Sequence, residues 1–266
     1  MTMTTAAAAS LAPRIALVTG AARRLGRAIA LALADQGWDV AIHYGTSHDA
    51  AAQTVADLKA KGVRAVALQA DLTDEAQAAQ LIARVEAELG TPTCLVNNAS
   101  LFQYDVASSF GYAALDTHMR TNVAAPLLLA RNLYRALAQQ PGDGPLGVVI
   151  NLLDQKLSNP NPDFLSYTLS KSALQAATTL LAQAFAPRLR VVGVAPGITL
   201  VSGDQSDDGF TKAHTMTPLG RSSTPDDIAA AVCYLANARA ITGTTLLVDG
   251  GQHLRPLDRD VMFLTE

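Results

Sequence analysis

Cysteine, charge and long apolar runs are all scarce in this 266-residue chain, and each scarcity argues against a class of protein. The two cysteines, Cys94 and Cys233, have no CxxC spacing and no histidine cluster beside them, so we predict buried thiols in a reducing compartment and no metal site. The net charge is −3 and no Lys/Arg run is present, so a nucleic-acid partner is not expected. No apolar run reaches the roughly 18 residues that cross a bilayer, so no membrane span is expected.

The first residues are rich in alanine and threonine but lack the basic start and the long apolar stretch of a signal peptide. We therefore predict a disordered tail over residues 1–12, a single domain over residues 13–266 and a cytoplasmic location by default. Charged residues make up only 16% of the chain, below the usual level of about 25%. This low charge indicates that further surface is buried between subunits.

Short apolar runs alternate with helical patterns along the whole chain. The apolar runs predict strands at residues 15–18, 40–42, 65–68, 95–96, 148–150, 191–194 and 246–248. Apolar residues spaced three and four apart predict helices at residues 25–36, 50–61, 75–89, 115–137, 167–185 and 224–235. The strands do not alternate with polar residues, which indicates a parallel sheet of about seven strands with helices on both faces, in a doubly wound Rossmann-type α/β fold. The polar, acidic segment 202–209 is long enough to be a mobile lid.

A glycine-rich turn, Thr19–Gly26, lies between the first strand and the first helix. Glycines there let the backbone approach a pyrophosphate, which the helix N-terminus attracts. Arg24 stands where the usual T-G-x-x-x-G-x-G pattern has its middle glycine, so its guanidinium would lie over the phosphates or toward a substrate; a salt bridge on the turn surface is the alternative. We predict that the turn binds a dinucleotide cofactor through Gly20, Arg23, Arg24, Leu25 and Gly26, and the alternative is a tight turn without a ligand.

The second strand ends without the acidic residue that NAD enzymes use to hold the ribose 2′-hydroxyl. Arg23 and the hydroxyls of Thr46 and Ser47, which follow Tyr44, can bind a 2′-phosphate instead. We therefore predict NADPH rather than NADH as the cofactor. Farther along the cofactor site, Asp71, followed by Leu72, is predicted to accept a hydrogen bond from the adenine amino group; an N-cap for the next helix is the alternative.

Tyr167 and Lys171 are four residues apart, so they share one helix face and lie about 6 Å apart along its axis. A lysine ammonium beside a phenol favours the phenolate, so Tyr167 is predicted to exchange a proton nearer neutral pH. Asp154 precedes Tyr167 by thirteen residues. An ordinary pair on a helix surface is the alternative for Tyr167 and Lys171, and a solvated loop carboxylate is the alternative for Asp154.

Together these elements resemble the short-chain dehydrogenase/reductase superfamily over about residues 14–255. The resemblance rests on six elements that follow one another along the chain: the glycine-rich turn, Asn97–Ser100, Asn122, Tyr167-x-x-x-Lys171, Pro196–Gly197 and Asp249–Gly251. Three details are similar to pteridine reductases and dihydromonapterin reductases: Arg24 in the turn, the stretch Asn98–Phe102, and Asp154 where most of the superfamily has a catalytic serine. Gly45 and Thr46 depart from the His-Arg pair of some pteridine reductases.

The resemblance implies a catalytic set of four residues. Tyr167 would donate a proton, Lys171 would lower the Tyr167 pKa and bond the nicotinamide ribose, and Asn122 would hold a water in the proton relay. Asp154 would serve the pterin itself, because a carboxylic acid can give a proton to ring nitrogens or accept from them, whereas a serine hydroxyl suits a ketone oxygen. Burial would raise the pKa of Asp154 and keep it partly protonated.

The resemblance also implies the rest of the site. The cofactor would contact Asn98, Ala99, Ser100, Tyr167, Lys171, Pro196 and Gly197. Phe102 would stack over the flat pterin ring, unless it is simply core, and Ser100 and Arg24 would hold pterin heteroatoms or cofactor phosphates. A homotetramer is expected, in which Arg255 would close a neighbouring subunit's site, although a solvated tail is an equal alternative for Arg255.

The reaction expected from these residues is hydride transfer from NADPH to a C=N bond of a dihydropterin, dihydromonapterin or dihydrofolate. One alternative is an NADPH-dependent carbonyl or 3-oxoacyl-thioester reductase, against which Asp154 and Phe102 argue. A second alternative, from a different class, is a sensor that binds NADPH without turnover. Such relatives usually lose the tyrosine or the lysine, and both residues are present here.

Overall fold

The structure is a computed structural model that describes residues 14–141, 147–201 and 205–264. The predicted tail over residues 1–12 lies outside these ranges, and so do residues 202–204 of the predicted lid. None of the helices within the described ranges combines the length and the apolar character that a membrane span requires.

Seven parallel strands form one sheet, and their bounds are β1 Ile15–Val18, β2 Asp39–Tyr44, β3 Ala65–Gln69, β4 Cys94–Asn97, β5 Gly147–Leu152, β6 Leu189–Pro196 and β7 Thr245–Val248. Their order across the sheet is β3-β2-β1-β4-β5-β6-β7. The strand order reverses between β1 and β4, and each predicted strand overlaps an observed one. The predicted doubly wound Rossmann-type fold is therefore confirmed.

Helices connect the strands, and their bounds are α1 Arg24–Asp35, α2 His48–Ala60, α3 Glu75–Glu88, α4 Tyr112–Met119, α5 Ala125–Ala138, α6 Leu165–Phe185, α7 Asp207–Thr215 and α8 Pro225–Asn237. A π-helical turn, Arg120–Ala124, joins α4 to α5. The prediction of one long helix over residues 115–137 is therefore confirmed, with this π-helical turn inside it. The apolar stripe continues on both sides of the turn, so periodicity alone does not reveal it.

Both faces of the sheet are covered, because successive strand residues point to opposite sides. In β1, Ala16 and Val18 pack in one core cluster with α1 and α8, while Ile15 and Leu17 pack in a second cluster with α3 and α5. All four side chains are fully buried. Burial of each large aliphatic side chain stabilises the fold by about 1.5–3 kcal/mol. The two clusters therefore hold β1 in place, and the site is built at the carboxyl end of this strand.

The two cysteines belong to this interior, as predicted. Cys94 and Cys233 are buried free thiols. Burial raises the pKa of Cys94 to about 12 and that of Cys233 to about 11, so both remain thiols at neutral pH.

The described part of the predicted lid is largely helical. Ser206 accepts a hydrogen bond from the Gly209 amide at 3.0 Å, and α7 begins at Asp207. Asp207 and Asp208 lie in the first turn, where carboxylates favour the helix dipole. Residues 207–209 of the predicted lid therefore already belong to the next helix, because Asp207 and Asp208 begin a capped helix, and the mobility of the segment stays a prediction.

Candidate active site

The site lies at the carboxyl ends of β1 and β4, where the reversal of strand order opens a crevice. Thr19 fixes the two ends together, because its hydroxyl accepts hydrogen bonds from the amides of Asn98 and Ala99, each at 3.0 Å. Asn98 completes the junction by donating from Nδ2 to the carbonyls of Thr19 at 2.8 Å and Gly20 at 3.2 Å. The glycine-rich turn is thus held rigidly against β4.

Two glycines of the turn have no room for a side chain. Gly20 has a φ of +62°, and a Cβ there would lie 3.0 Å from the Ala99 Cα. A Cβ on Gly26 would lie 2.5 Å from the Gly20 carbonyl oxygen and from Asn98 Nδ2. Backbone atoms therefore form the floor of the crevice, as a phosphate-binding turn requires.

A cavity of about 680 Å³ opens above this turn. It is lined by eleven of the residues predicted for the cofactor: Gly20, Arg23, Arg24, Leu25, Gly26, Thr46, Asp71, Leu72, Asn98, Ala99 and Ser100. The N-terminus of α1 faces it with no side-chain cap and no acidic residue in the first turn. Uncapped amides with arginines beside them suit an anionic diphosphate, so the residues present fit a dinucleotide.

Tyr44 and Ser47, which were also predicted to bind the cofactor, are not among the residues lining this cavity. Tyr44 ends β2 and turns its ring edge toward His48, with a centroid separation of 6.1 Å. Ser47 occupies the N-cap position of α2. Of the three predicted residues Tyr44, Thr46 and Ser47, it is therefore Thr46 that lines the cavity.

Asp71 lines the cavity, and its Oδ1 accepts from the amide and the hydroxyl of Thr73, each at 2.8 Å. The N-cap of α3 is Asp74, which accepts from the amides of Ala76 and Gln77. The alternative interpretation of Asp71 as that N-cap is therefore wrong. Its predicted contact with the adenine stays a prediction.

Arg24 adopts a left-handed backbone conformation with a φ of +55°. A non-glycine residue there costs free energy, consistent with the glycine that the common pattern has at this position. Its Nη2 donates to the Val201 carbonyl at 2.6 Å, across the mouth of the crevice. The described partner is a carbonyl rather than a carboxylate, so the structure does not support a surface salt bridge.

Asp154 and Tyr167 meet in a second cavity of about 300 Å³ that adjoins the first. The Tyr167 hydroxyl donates to Asp154 Oδ2 at 2.7 Å, and Asp154 Oδ1 accepts from the Lys156 amide at 2.8 Å. Asp154 follows β5, and Tyr167 lies in the first turn of α6. Residues from two neighbouring elements thus form a hydrogen-bonded acid–phenol pair.

Lys171 lies one turn along α6 and is 3% exposed. Its Nζ donates to the Leu152 carbonyl at 2.7 Å and lies 5.7 Å from the centre of the Tyr167 ring. Burial lowers the pKa of Lys171 to about 8, even though Asp154 favours the charged form.

The predicted lowering of the Tyr167 pKa is wrong for the protein without ligands. Burial raises this pKa well above its ordinary value, and Asp154 raises it further as a nearby carboxylate that accepts a hydrogen bond from the phenol. Burial also raises the pKa of Asp154, as predicted, although hydrogen bonds from Lys156 and Tyr167 oppose the shift. Both shifts therefore favour the protonated forms of the pair.

Comparison with known proteins identifies the family to which the chain belongs. A family model described as enoyl-(acyl carrier protein) reductase matches residues 20–253. The chain belongs to the short-chain dehydrogenase/reductase superfamily. It is 32% identical over 244 residues to the 3-oxoacyl-[acyl-carrier-protein] reductase FabG of Staphylococcus epidermidis, covering 90% of this chain and 98% of that protein.

Two solved structures are also similar to this short-chain dehydrogenase/reductase. One is FolM alternative dihydrofolate reductase 1 of Brucella canis complexed with NADP, with a TM-score of 0.84 and 39% identity, covering 91% of this chain and 95% of that chain. The other is the Brucella suis FolM structure, also with NADP, with a TM-score of 0.83 and 38% identity, covering 94% and 98% of the two chains. The superfamily resemblance read from the sequence is therefore confirmed, and the chain is an oxidoreductase of this superfamily.

Asn122 lies in the π-helical turn of this reductase and is buried. Its amide oxygen accepts from the Leu101 amide at 2.8 Å, and its Nδ2 donates to the Leu101 carbonyl at 3.0 Å and to the Ser170 hydroxyl at 2.9 Å. These bonds fix the segment after β4 against α6. The role of Asn122 in a water relay stays a prediction.

The remaining predicted substrate and nicotinamide residues also meet at the 300 Å³ cavity, which is lined by Arg24, Ser100, Phe102, Pro196 and Gly197 besides the acid–phenol pair. Phe102 stacks one face on Phe164 at 4.2 Å between ring centres and meets Tyr167 edge to face at 4.7 Å. Arg255 lines the cavity of its own chain and donates to the Met216 carbonyl at 3.2 Å.

Sequence reasoning missed two residues that shape the site. Asp105 is buried and accepts from the amide and hydroxyl of Ser166, so it caps α6 where the preceding Phe164 supplies no side-chain cap. His43 accepts from the Gly20 amide at 3.2 Å through Nδ1 and bonds the Ala70 carbonyl through Nε2. Burial lowers the pKa of His43, so it stays neutral and holds the turn. Neither residue lies near its partner in sequence, so spacing could not reveal them.

Proposed function

We propose that this chain is an NADPH-dependent reductase that transfers hydride to a C=N bond of a dihydropterin. The observation that carries the proposal is the 2.7 Å hydrogen bond between Tyr167 and Asp154 in a buried cavity beside Phe102. A carboxyl group at this position suits ring nitrogens, which both accept and donate hydrogen bonds. The similarity to two FolM dihydrofolate reductases supports the same substrate class.

The cofactor assignment follows from the charges at the larger cavity. Arg23, Arg24 and Thr46 line it, and the segment after β2 that faces it carries no acidic residue to repel a 2′-phosphate. Both FolM structures are complexed with NADP, which supports the same choice here. When bound, NADPH supplies the hydride for the reduction.

The protein's own contribution to the chemistry is a positioned proton. Hydride addition to a C=N carbon leaves negative charge on the ring nitrogen, which must then accept a proton. Tyr167 holds its proton at neutral pH because burial and the Asp154 carboxylate raise its pKa, and burial shifts the pKa of Asp154 upward as well. Tyr167 can therefore act as the general acid, and the 2.7 Å bond allows a proton to pass between it and Asp154.

Lys171 supplies a positive charge beside the acid–phenol pair. Its pKa of about 8 leaves it mostly protonated at neutral pH. A buried ammonium beside the cavity stabilises negative charge that develops on Tyr167 or Asp154 after proton transfer. Its hydrogen bond to the Leu152 carbonyl holds the side chain in place for this role.

Reduction of a 3-oxoacyl thioester is the second candidate, and the identity with FabG favours it. A substrate panel separates the two: 7,8-dihydropterins and dihydrofolate against an acetoacetyl thioester, each followed by loss of NADPH absorbance. We expect kcat/KM to be highest for a dihydropterin. A preference for the thioester would overturn the proposal, and cofactor binding without oxidation by any substrate would support a sensor.

We also propose self-association, as the resemblance implies, with a tetramer as the expected state. Two leucines of α6, Leu169 and Leu180, are 49% and 64% exposed in the single chain. Size-exclusion chromatography with light scattering measures the mass directly. In an assembly, Arg255 would then complete a neighbour's site; activity that survives truncation before Arg255 would contradict that role.

A further inference from the structure

The C-terminal segment of residues 257–264, here called the C-terminal strap, lies across the catalytic cavity of its own chain. Leu257, Asp260, Val261 and Met262 line that cavity together with Asp154 and Tyr167. The strap lies beyond residues 20–253, which the family model matches. This wall of the cavity is therefore an addition to the part of the chain that carries the common fold.

A bidentate ion pair attaches the strap to the loop before α6. Arg259 donates to the two carboxylate oxygens of Asp163 at 2.8 and 2.9 Å. The Asp260 amide donates to Asp163 Oδ2 at 2.7 Å. Asp163 is 1% exposed, so this carboxylate depends on the strap for partners that offset its lost hydration.

A second ion pair links the strap to the loop after β5, which carries Asp154. Lys156 Nζ lies 3.0 Å from Asp260 Oδ2 and donates to the Asp163 carbonyl at 2.8 Å. Lys156 is 4% exposed, and its amide is the one that hydrogen-bonds Asp154. The same residue thus anchors the strap with its side chain and orients the catalytic carboxyl group with its backbone.

Aromatic contacts extend the attachment toward the substrate. Phe263 stacks on Phe164 at 6.1 Å between ring centres and meets Tyr104 at 5.4 Å. Phe164 in turn stacks on Phe102 at 4.2 Å, and Phe102 lines the cavity. The strap therefore supports the ring predicted to cover the substrate.

We propose that the C-terminal strap is the specificity-determining wall of the catalytic cavity, which fits it to a compact flat ring and closes it to a long acyl thioester. This inference rests on the proposed function. A cavity of about 300 Å³ is at the lower end of the range for ligand sites, roughly 300–1,000 Å³, and suits a bicyclic heterocycle. Leu257, Asp260, Val261 and Met262 of the strap line this cavity, so removing them enlarges the space open to an extended thioester arm.

Two variants test the strap: truncation after Pro256 and Arg259→Met. Arg239→Met, an exposed arginine on α8's C-terminal side, is the matched control, and Arg259→Lys keeps the charge but not the two-pronged bond. KM and kcat are measured for a dihydropterin and for an acetoacetyl thioester, with the Kd of NADPH and the melting temperature beside them.

We expect Arg259→Met to raise the dihydropterin KM by roughly five- to tenfold, a modest effect because Arg259 is half exposed, with Arg259→Lys in between. Truncation should raise this KM further, while the Kd of NADPH stays within twofold and the thioester KM stays equal or falls. A dihydropterin KM unchanged in both variants, or NADPH and thioester binding weakened to the same extent, would overturn the inference.

The test separates failure of the strap from failure of the proposed function. If the unaltered chain neither turns over dihydropterins nor binds methotrexate, the proposed function fails first. The strap is then judged with whichever carbonyl substrate the panel identifies. Efficient turnover of the acetoacetyl thioester by the unaltered chain, or a KM for the identified substrate that does not respond to truncation, overturns the inference. A selective rise in the KM of a compact carbonyl substrate on truncation supports the strap as a specificity wall.

Discussion

Replacement of Asp154 by asparagine removes the acidic group and keeps the shape of the side chain. The asparagine oxygen can still accept from the Lys156 amide, which bonds Asp154 Oδ1 at 2.8 Å, while the asparagine NH2 group takes the place of Oδ2 and can donate to the Tyr167 oxygen, 2.7 Å away. The variant can no longer give up or share a proton. Removing a positioned acid costs about 10²–10⁴ in rate, so kcat/KM for a dihydropterin should fall by that factor, or about 2.7–5.4 kcal/mol of transition-state stabilisation.

The stability of the same variant should move in the opposite direction at neutral pH. Burial raises the pKa of Asp154, so the folded protein holds this proton over a pH range in which the unfolded chain has lost it. The folded state then binds more protons than the unfolded state, and stability falls as pH rises from about 4 through the raised pKa. Asp154→Asn removes this loss. Its melting temperature should exceed that of the parent at pH 7, with a smaller gain at pH 4.

The assays are steady-state kinetics across pH and thermal unfolding at the two pH values. Asp226→Asn, which changes an exposed carboxylate in the first turn of α8, controls for the loss of one negative charge. The Kd of NADPH should not change, because Asp154 lines the catalytic cavity and not the cofactor cavity. Near-normal pterin turnover by Asp154→Asn, or a melting temperature that drops equally at both pH values, would refute the reasoning.

Three further predictions concern neighbouring residues. Tyr167→Phe should lower kcat for the dihydropterin by about 10²–10⁴ while leaving the Kd of NADPH within a few-fold, as titration of the variant would show. Kinetics with both cofactors should give a higher kcat/KM for NADPH than for NADH, and Thr46→Asp should reverse the order by repelling the 2′-phosphate; equal values in the parent would contradict the assignment. Because the pKa of Lys171 is about 8, kcat/KM should fall above pH 8 as this residue loses its proton. Lys171→Arg should abolish this fall at alkaline pH, whatever the absolute rate of the variant.

Sequence periodicity could predict the sheet because burial on both faces leaves a direct mark on composition. All four residues of β1 are buried, and so are those of β4, which makes each a continuous apolar run. The turn after β1 was also predictable, since Gly20 needs its positive φ and Gly26 has no space for a side chain. These features depend on one residue and its immediate neighbours along the chain.

The parts that sequence reasoning missed depend on partners far apart in the chain. The attachment of the strap joins Asp163 to Arg259 and Lys156 to Asp260, across about a hundred residues. No spacing rule relates such residues, because the fold alone decides which loops meet. Acidic residues at 207 and 208 were similarly read as loop composition, although the same composition starts α7 once Ser206 caps it.

The direction of the Tyr167 pKa shift also could not be predicted from residue spacing. Four-residue spacing places Lys171 on the same helix face as Tyr167, but it does not decide which group the phenolic oxygen touches. In the structure that oxygen touches the Asp154 carboxylate at 2.7 Å, while the ammonium binds the Leu152 carbonyl. A direct carboxylate contact and burial both favour the neutral phenol, whereas the Lys171 ammonium lies over the ring, 5.7 Å from its centre. The phenol of Tyr167 is therefore protonated before the reaction. It gives up its proton once hydride addition places negative charge on the substrate.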